Sequence, residues 1–498
     1  MFGDFFRALG RSSQWQAWFF AMLIIFALMP TSLHAQYNLP ELGDASREAF
    51  SPYQERKMGE DIIRELRANG TYMNDPEVND YLNTLGHRLV SAINDTRQEF
   101  EFFAVYDTTV NAFALPGGFI GVNTGLITLV QNESELASVL AHEITHVTQY
   151  HLARMISGQK DQLLLSLAAL AVAAAAAGSN SSSGDQMIGA AVAGAQALAI
   201  QSQINYTREH EYEADRIGFQ RLRAAGFDVN ASATLMERML RANRFNDGTA
   251  PSYLRTHPVT TERIAEAQAR AEGVPYKQVV DSIDFHFVRA LLQSYAGTGK
   301  EAVARFDEAL RTRKFNNEAA THYGLAASLL RTKEFDRAKE EIAWLDRTMQ
   351  HPMIDAMAGH ILMESGALDE AIQRFDDALK RYPNKKQLVY DYPEALLKAG
   401  RARDAAQYLE STLTRFPSDG QLHEKAARAY AKLNIDHKQH YHLGEYYVWR
   451  GAYQASIEQF ELVLKDKDAS FQELSITESR LRTVRQEQAD EKELAKKN

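Results

Sequence analysis

The chain has 498 residues, of which 45% are hydrophobic and 24% charged, with a net charge of −10 and no cysteine. That length calls for two or three domains, and the composition excludes a disordered or disulfide-built protein. The acidic balance, with no Lys/Arg-rich patch, argues against nucleic acid as a partner, and without cysteine the redox compartment is not readable.

Arg7 and Arg11 precede an apolar run from Trp15 to Met29, followed by Pro30 and by Ala35 before Gln36. A basic stretch, a short apolar core and a small residue at the cut describe a secretory signal peptide over 1–35. The run is shorter than the ~20 residues that cross a bilayer. Leu33 is larger than the residue preferred there, so an uncleaved anchor is the competing reading. A first folded domain is expected over 36–278. It begins with helices from Pro52 to Asn69 and from Pro76 to Ile93, the second built on Leu82, Leu85 and Leu89. Strands are expected at Phe100 to Tyr106 and Phe119 to Val122, with Pro116-Gly117-Gly118 as the turn ahead of the second.

Next comes His142-Glu143-Ile144-Thr145-His146, on a helix that Asn132 and Glu135 cap and that Leu136, Val139, Leu140 and Val147 stripe. Histidines four apart share a helix face, so both can point at one metal ion. Glu143, about 100° round from His142, is close enough to reach a water on that ion. This is the HExxH arrangement of zinc peptidases, and a third ligand is needed to complete it. His151 is nine residues after His142, which on an unbroken helix is the opposite face, so it is not expected to be a ligand.

Two alanine- and leucine-rich stretches follow, Leu163 to Ala177 and Met187 to Ile200, split by a Gly/Ser-rich run. Each is too short to span a membrane comfortably. The insert 163–200 reads as a hairpin of small residues on the catalytic domain, against which stands a peripheral contact with lipid. Then Glu209-His210-Glu211-Tyr212-Glu213-Ala214-Asp215 offers carboxylates in two helical registers, Glu211 with Asp215 or Glu209 with Glu213. Spacing does not choose between them.

With Thr256-His257-Pro258 and Arg263-Ile264 added, the chain over about 50–270 resembles the HtpX-like and prenyl-protease-like zinc metallopeptidases. The resemblance implies one Zn2+ per chain on His142, His146 and Glu211, with Asp215 fixing a ligand imidazole. It makes Glu143 the base and gives His257 or Arg263 the oxyanion. An imidazole so placed could instead fill zinc's fourth position and shut the site. Substrate backbone is expected to add along Phe119, Ile120, Gly121 and Val122.

From residue 282 the texture becomes helix pairs. Ala338, Ala371 and Ala405 are 33 and 34 apart, and Pro383 and Pro417 are 34 apart, which is the tetratricopeptide period. Four to five repeats are expected over 282–465, with a slip around Asn434 to His442, and then a charged tail over 466–498 that is an exposed helix or a frayed end. The fold class is therefore mainly α with a small β-sheet in the peptidase part, gluzincin-like, followed by an all-α tetratricopeptide solenoid. This order of parts looks like the periplasmic BepA-type proteins of Gram-negative bacteria. That resemblance implies outer-membrane protein quality control, with the repeats engaging β-barrel proteins and their assembly machinery. The rival reading is a periplasmic chaperone or binding scaffold whose zinc site is closed.

Overall fold

The computed structural model describes residues 51–68, 70–94, 98–155, 208–244, 253, 257–275 and 277–497. The expected signal peptide and the apolar insert lie outside them. Helices α1 (Pro52–Ala68) and α2 (Pro76–Ser91) come first. The α2 start is set locally: the Asp75 carboxylate accepts from the Glu77 and Val78 N–H groups, and Pro76 takes a first-turn position that needs no N–H.

Strands β1 (Glu101–Val105), β2 (Ala112–Leu115) and β3 (Phe119–Asn123) form one sheet in the order β1-β3-β2, with β1 parallel and β2 antiparallel to β3. Between β2 and β3 the chain turns on Gly117 and Gly118 at φ of 77° and 85°. A Cβ on Gly118 would sit 2.1 Å from the Glu99 carbonyl oxygen, so the turn needs glycine for room as well as for φ. The sheet order corrects one expectation. Phe119, Ile120, Gly121 and Val122 belong to the central strand and are paired on both sides, so they offer substrate no free edge. Among the described residues β2, an outer strand of the sheet, pairs with β3 alone.

After α3 (Thr124–Leu129) comes α4 (Glu133–Thr148), which carries the HExxH run. Asn132 caps it by accepting from the Glu135 N–H at 3.0 Å. The expected return bond lands one residue early, because the Glu135 carboxylate accepts from the Gln131 N–H at 2.8 Å and pairs with Arg238. The apolar stripe is only part of what α4 buries: every residue from Glu133 to Thr145 is out of solvent. Its first residue is anchored by polar bonds, with the Glu133 carboxylate accepting from the Tyr81 hydroxyl at 3.1 Å and from the Ser282 N–H and hydroxyl at 3.0 and 2.6 Å.

A helix over 208–224 (α5) is followed by α6 (Ala231–Arg244) and α7 (Thr261–Glu272). Twelve further helices are described, from α8 (Ile283–Tyr295) to α19 (Phe471–Lys497). First members of successive pairs start at 318, 352, 386, 420 and 453, so the repeat keeps step throughout. What slips is the glycine–alanine signature, and it slips by one helix. Gly359 of α12 (Pro352–Glu364) receives the Phe375 ring of α13 (Leu368–Arg381), where a Cβ would be 2.3 Å from it. Gly444 of α17 (Asp436–Trp449) receives Phe460 of α18 (Tyr453–Val463) in the same way, at 2.4 Å.

One apolar core runs from Met73 to Ile361, so the sheet, α4 and the first array helices share it. The tail is less exposed than its charge suggests, since Leu481 and Val484 of α19 are buried against Tyr453, Ile457 and Phe460. No helix of the described residues is long and apolar enough to cross a membrane.

Candidate metal centre

Helix α4 presents His142 and His146 one turn apart, and α5 crosses it at close range. A Cβ on Gly218 of α5 would be 3.3 Å from the Ala141 carbonyl and the His142 nitrogen. That approach brings Glu211 beneath both imidazoles, 3.4 Å from His142 Nε2 and 3.3 Å from His146 Nε2. His257 arrives from the segment before α7, its Nδ1 2.8 Å from Glu211 Oε1. One donor atom each from His142, His146, Glu211 and His257 lies within 4.8 Å of the others. The register that spacing left open is thereby resolved: Glu211 enters the cluster and Asp215 backs it, while Glu213 points to the other side and Glu209 is exposed.

Do these groups suit a divalent metal? The His142 Nδ1–H donates to Asp215 at 3.0 Å, which leaves a lone pair on Nε2. Nε2 of His146 lies only 3.0 Å from that nitrogen. At that distance the two nitrogens share either a proton or a metal cation. Burial disfavours a charged His142, yet Glu211 and Asp215 beside it push the imidazole up to about 10. Burial would raise Glu211, but the His142 charge and bonds from His142, His146 and His257 hold it far below the usual carboxylate range. Asp215 is likewise opposed by burial, and bonds from His142 and Arg263 bring it down to about 2. Burial pulls His146 down. A pocket that concentrates lone pairs and draws in a proton this strongly fits a metal cation.

Glu143 is 1% exposed, and its Oε1 accepts no hydrogen bond, with His257 Nε2 3.5 Å away. Arg263 departs from expectation. Its Nε and Nη2 donate to the two Asp215 oxygens at 2.7 and 2.9 Å, and its Nη1 donates to the Pro258 carbonyl at 2.7 Å. Nη1 also lies 2.8 Å from Glu211 Oε2. A guanidinium so committed clamps Asp215 and is not free for an oxyanion.

His151 is the residue that spacing misplaced. Helix α4 ends at Thr148, and Tyr150 takes φ 54°, so the chain turns before a new helical turn over 151–155. His151 therefore comes back under α4, 4% exposed, with its Nδ1 2.8 Å from His146 Nδ1. Burial, with His146 and His210 close by, holds its imidazole well below the ordinary range. No glycine or asparagine marks this break in the sequence, so periodicity carried the helix through it.

The description Peptidase family M48 matches residues 76–271, which include every donor of the cluster, and Tetratricopeptide repeat matches 362–434. The β-barrel assembly-enhancing protease of Escherichia coli (strain K12) is 30% identical over 424 residues, 83% of this chain and 84% of that protein. A Vibrio cholerae relative is 37% identical over 64% of this chain and 66% of its own length. Mitochondrial metalloendopeptidase OMA1 of Schizosaccharomyces pombe is 28% identical over 56% of this chain and 78% of its own. A buried His/His/Glu cluster inside an M48 match, with tetratricopeptide repeats behind it, places the chain among the M48 metalloendopeptidases, in the β-barrel assembly-enhancing protease family.

Proposed function

We propose that the chain is a zinc endopeptidase of the bacterial periplasm that acts in outer-membrane protein quality control, degrading misassembled β-barrel proteins and aiding their assembly. The observation that carries this is the juxtaposition of three donors, from His142, His146 and Glu211, with a buried Glu143 carboxylate oxygen that accepts no hydrogen bond. One zinc per chain would be held by those three residues, a donor set of the kind catalytic zinc takes. When bound, zinc supplies Lewis acidity, polarising a carbonyl and acidifying water. Glu143 takes the proton from the attacking water and hands it to the leaving amine. His257 faces the same space and stabilises the developing oxyanion, a role worth about 3 kcal/mol when one donor is lost. Arg263 keeps Asp215 in line, and Asp215 keeps His142 in the tautomer that ligates. Substrate backbone adds to the outer side of β2, which packs beside α4.

In this reading residues 1–35 deliver the chain, residues 36–278 are the peptidase domain and residues 282–465 hold clients or the assembly machinery. The test is metal analysis of the purified full chain alongside cleavage of misfolded outer-membrane porin. Glu143→Gln should keep the metal and lower cleavage by about 10²–10⁴; wild type that binds no metal, or a variant that cuts as wild type does, refutes the reading.

The 2.8 Å approach of His257 to Glu211 favours a second reading of the resting state. His257 then serves as a fourth donor that closes the site until a partner withdraws it. Replacing His257 with alanine should raise proteolysis under at least one condition if closure is real, and lower it throughout if His257 only serves the oxyanion.

A further inference from the structure

We infer that His151 and Glu213 are positioning residues for the metal centre, acting through His146. The inference rests on the reading of His146 as a ligand. Each imidazole of the HExxH pair is backed by a carboxylate that an arginine holds. For His142 the chain is short: Asp215 accepts from its Nδ1–H, and Arg263 grips Asp215. For His146 it is longer by one imidazole. His146 Nδ1 meets His151 Nδ1 at 2.8 Å, His151 Nε2 meets Glu213 Oε2 at 3.1 Å, and the Arg154 Nη1–H donates to the same oxygen at 2.8 Å.

Only one arrangement of protons satisfies this chain with a neutral His151. The Glu213 carboxylate can only accept, so His151 carries its proton on Nε2 and its Nδ1 is an acceptor. His146 must then carry its proton on Nδ1, which frees Nε2 as a lone pair facing Glu211 and His142. The tautomer that metal ligation requires is thus written by residues 151 and 213. Packing holds the relay in place: His210 stacks on His151 at 4.2 Å with the rings 5° apart, and His151 is 4% exposed. The break at Tyr150 is what makes it, because an unbroken helix would carry residue 151 away from His146. Glu213, in the helical register that does not ligate, thus reaches the metal centre through two imidazoles.

Partners of this kind typically alter metal affinity 10–100-fold. The experiment compares full-length wild type with His151→Leu, His151→Asn and Glu213→Gln. It reads the metal dissociation constant by competition with a chelator, the visible spectrum of the cobalt-loaded protein, and the melting temperature after metal removal. His151→Leu, which offers His146 no acceptor, should weaken metal binding 10–100-fold and alter the cobalt spectrum. His151→Asn puts an amide oxygen near the Nδ1 position and should recover most of that loss. Glu213→Gln is partly exposed and tolerates a neutral side chain; it should shift affinity the same way by a smaller factor. A merely structural role would lower the melting temperature of the metal-free protein and leave affinity and spectrum alone, and that outcome overturns the inference. If His151→Leu does not fold, unchanged affinity and spectrum in Glu213→Gln overturn it as well. Wild type without metal affinity would bring down the ligand reading itself, whereas wild-type binding with indifferent variants brings down only this one.

Discussion

The metal centre and the helical array are both buried, but they are held by opposite means. In the array one packing device recurs: a glycine on one helix receives an aromatic ring from the next, at Gly359 with Phe375 and again at Gly444 with Phe460. Each such contact is local and joins only two adjacent helices, so no single residue decides whether the array exists. The centre repeats nothing. It draws His142 and His146 from α4, Glu211 and Asp215 from α5, and His257 and Arg263 from around α7, and its ion pairs run between these three elements. Redundancy makes a region tolerant, while interdependence makes it switchable.

The largest effect expected from this contrast comes from taking the metal away. Anything bound only to the folded state stabilises it by mass action, about 4 kcal/mol when present at a thousand times its dissociation constant. Chelation should therefore speed amide exchange in α4 and α5 by orders of magnitude while leaving α13 unchanged, since the core around Phe375 and Leu409 is separate from the one that holds α4. Equal loss of protection in both regions would mean that the centre supports the whole molecule. A smaller effect tests the array's own rule. Gly359→Ala places a Cβ 2.3 Å from the Phe375 ring, and Gly444→Ala does the same at 2.4 Å from Phe460. Each should cost about 1–3 kcal/mol of overpacking, offset by roughly 1 kcal/mol of helix propensity. Matched losses in urea unfolding, with metal content intact, would support the one-helix shift of phase. A neutral Gly444→Ala would show that α17 and α18 pair differently.

This contrast also decides what the sequence could reveal. The array was legible because a period of 34 survives any single exception, and even its slip was visible, though as a broken repeat instead of a moved signature. In the centre, His142, Glu143 and His146 were legible from spacing alone. The pairing of Glu211 with Asp215 was not, because Glu209 and Glu213 satisfy the same helical arithmetic. Only the close passage of α5 over α4 at Gly218 distinguishes the two registers. The errors lay where a short-range rule met a long-range fact. Helical spacing puts His151 on the far face because it does not see that the helix ends at Thr148, strand patterning does not show that β1 and β2 pair with both sides of Phe119 to Val122, and of His257 and Arg263, the two candidates for the oxyanion, Arg263 has its donors on Asp215.

The seam between the two regions supplies the smallest expected effect, a pH dependence separable from the metal. His360 of α12 lies 2.7 Å from Asp391 of α14 (Lys386–Lys398), with Glu77 of α2 and its cap Asp75 also facing it. Burial opposes its charge, but Asp391 first and then the α2 carboxylates push the imidazole up to about 9. A folded-state value raised above the free one stabilises fully below the free value and is lost as pH climbs through the folded one. The window therefore runs from about 6.5 to 9. The full shift corresponds to about 3 kcal/mol, and because 28% of the side chain is exposed, about 1–2 kcal/mol is the figure to expect. Urea midpoints should fall by that much between pH 6.5 and 9.5 in wild type and stay level in His360→Gln. A slope that survives the substitution would assign the titration to Glu77 instead, which burial first and then Asp75 raise well above the usual carboxylate range, and Glu77→Gln would then remove it.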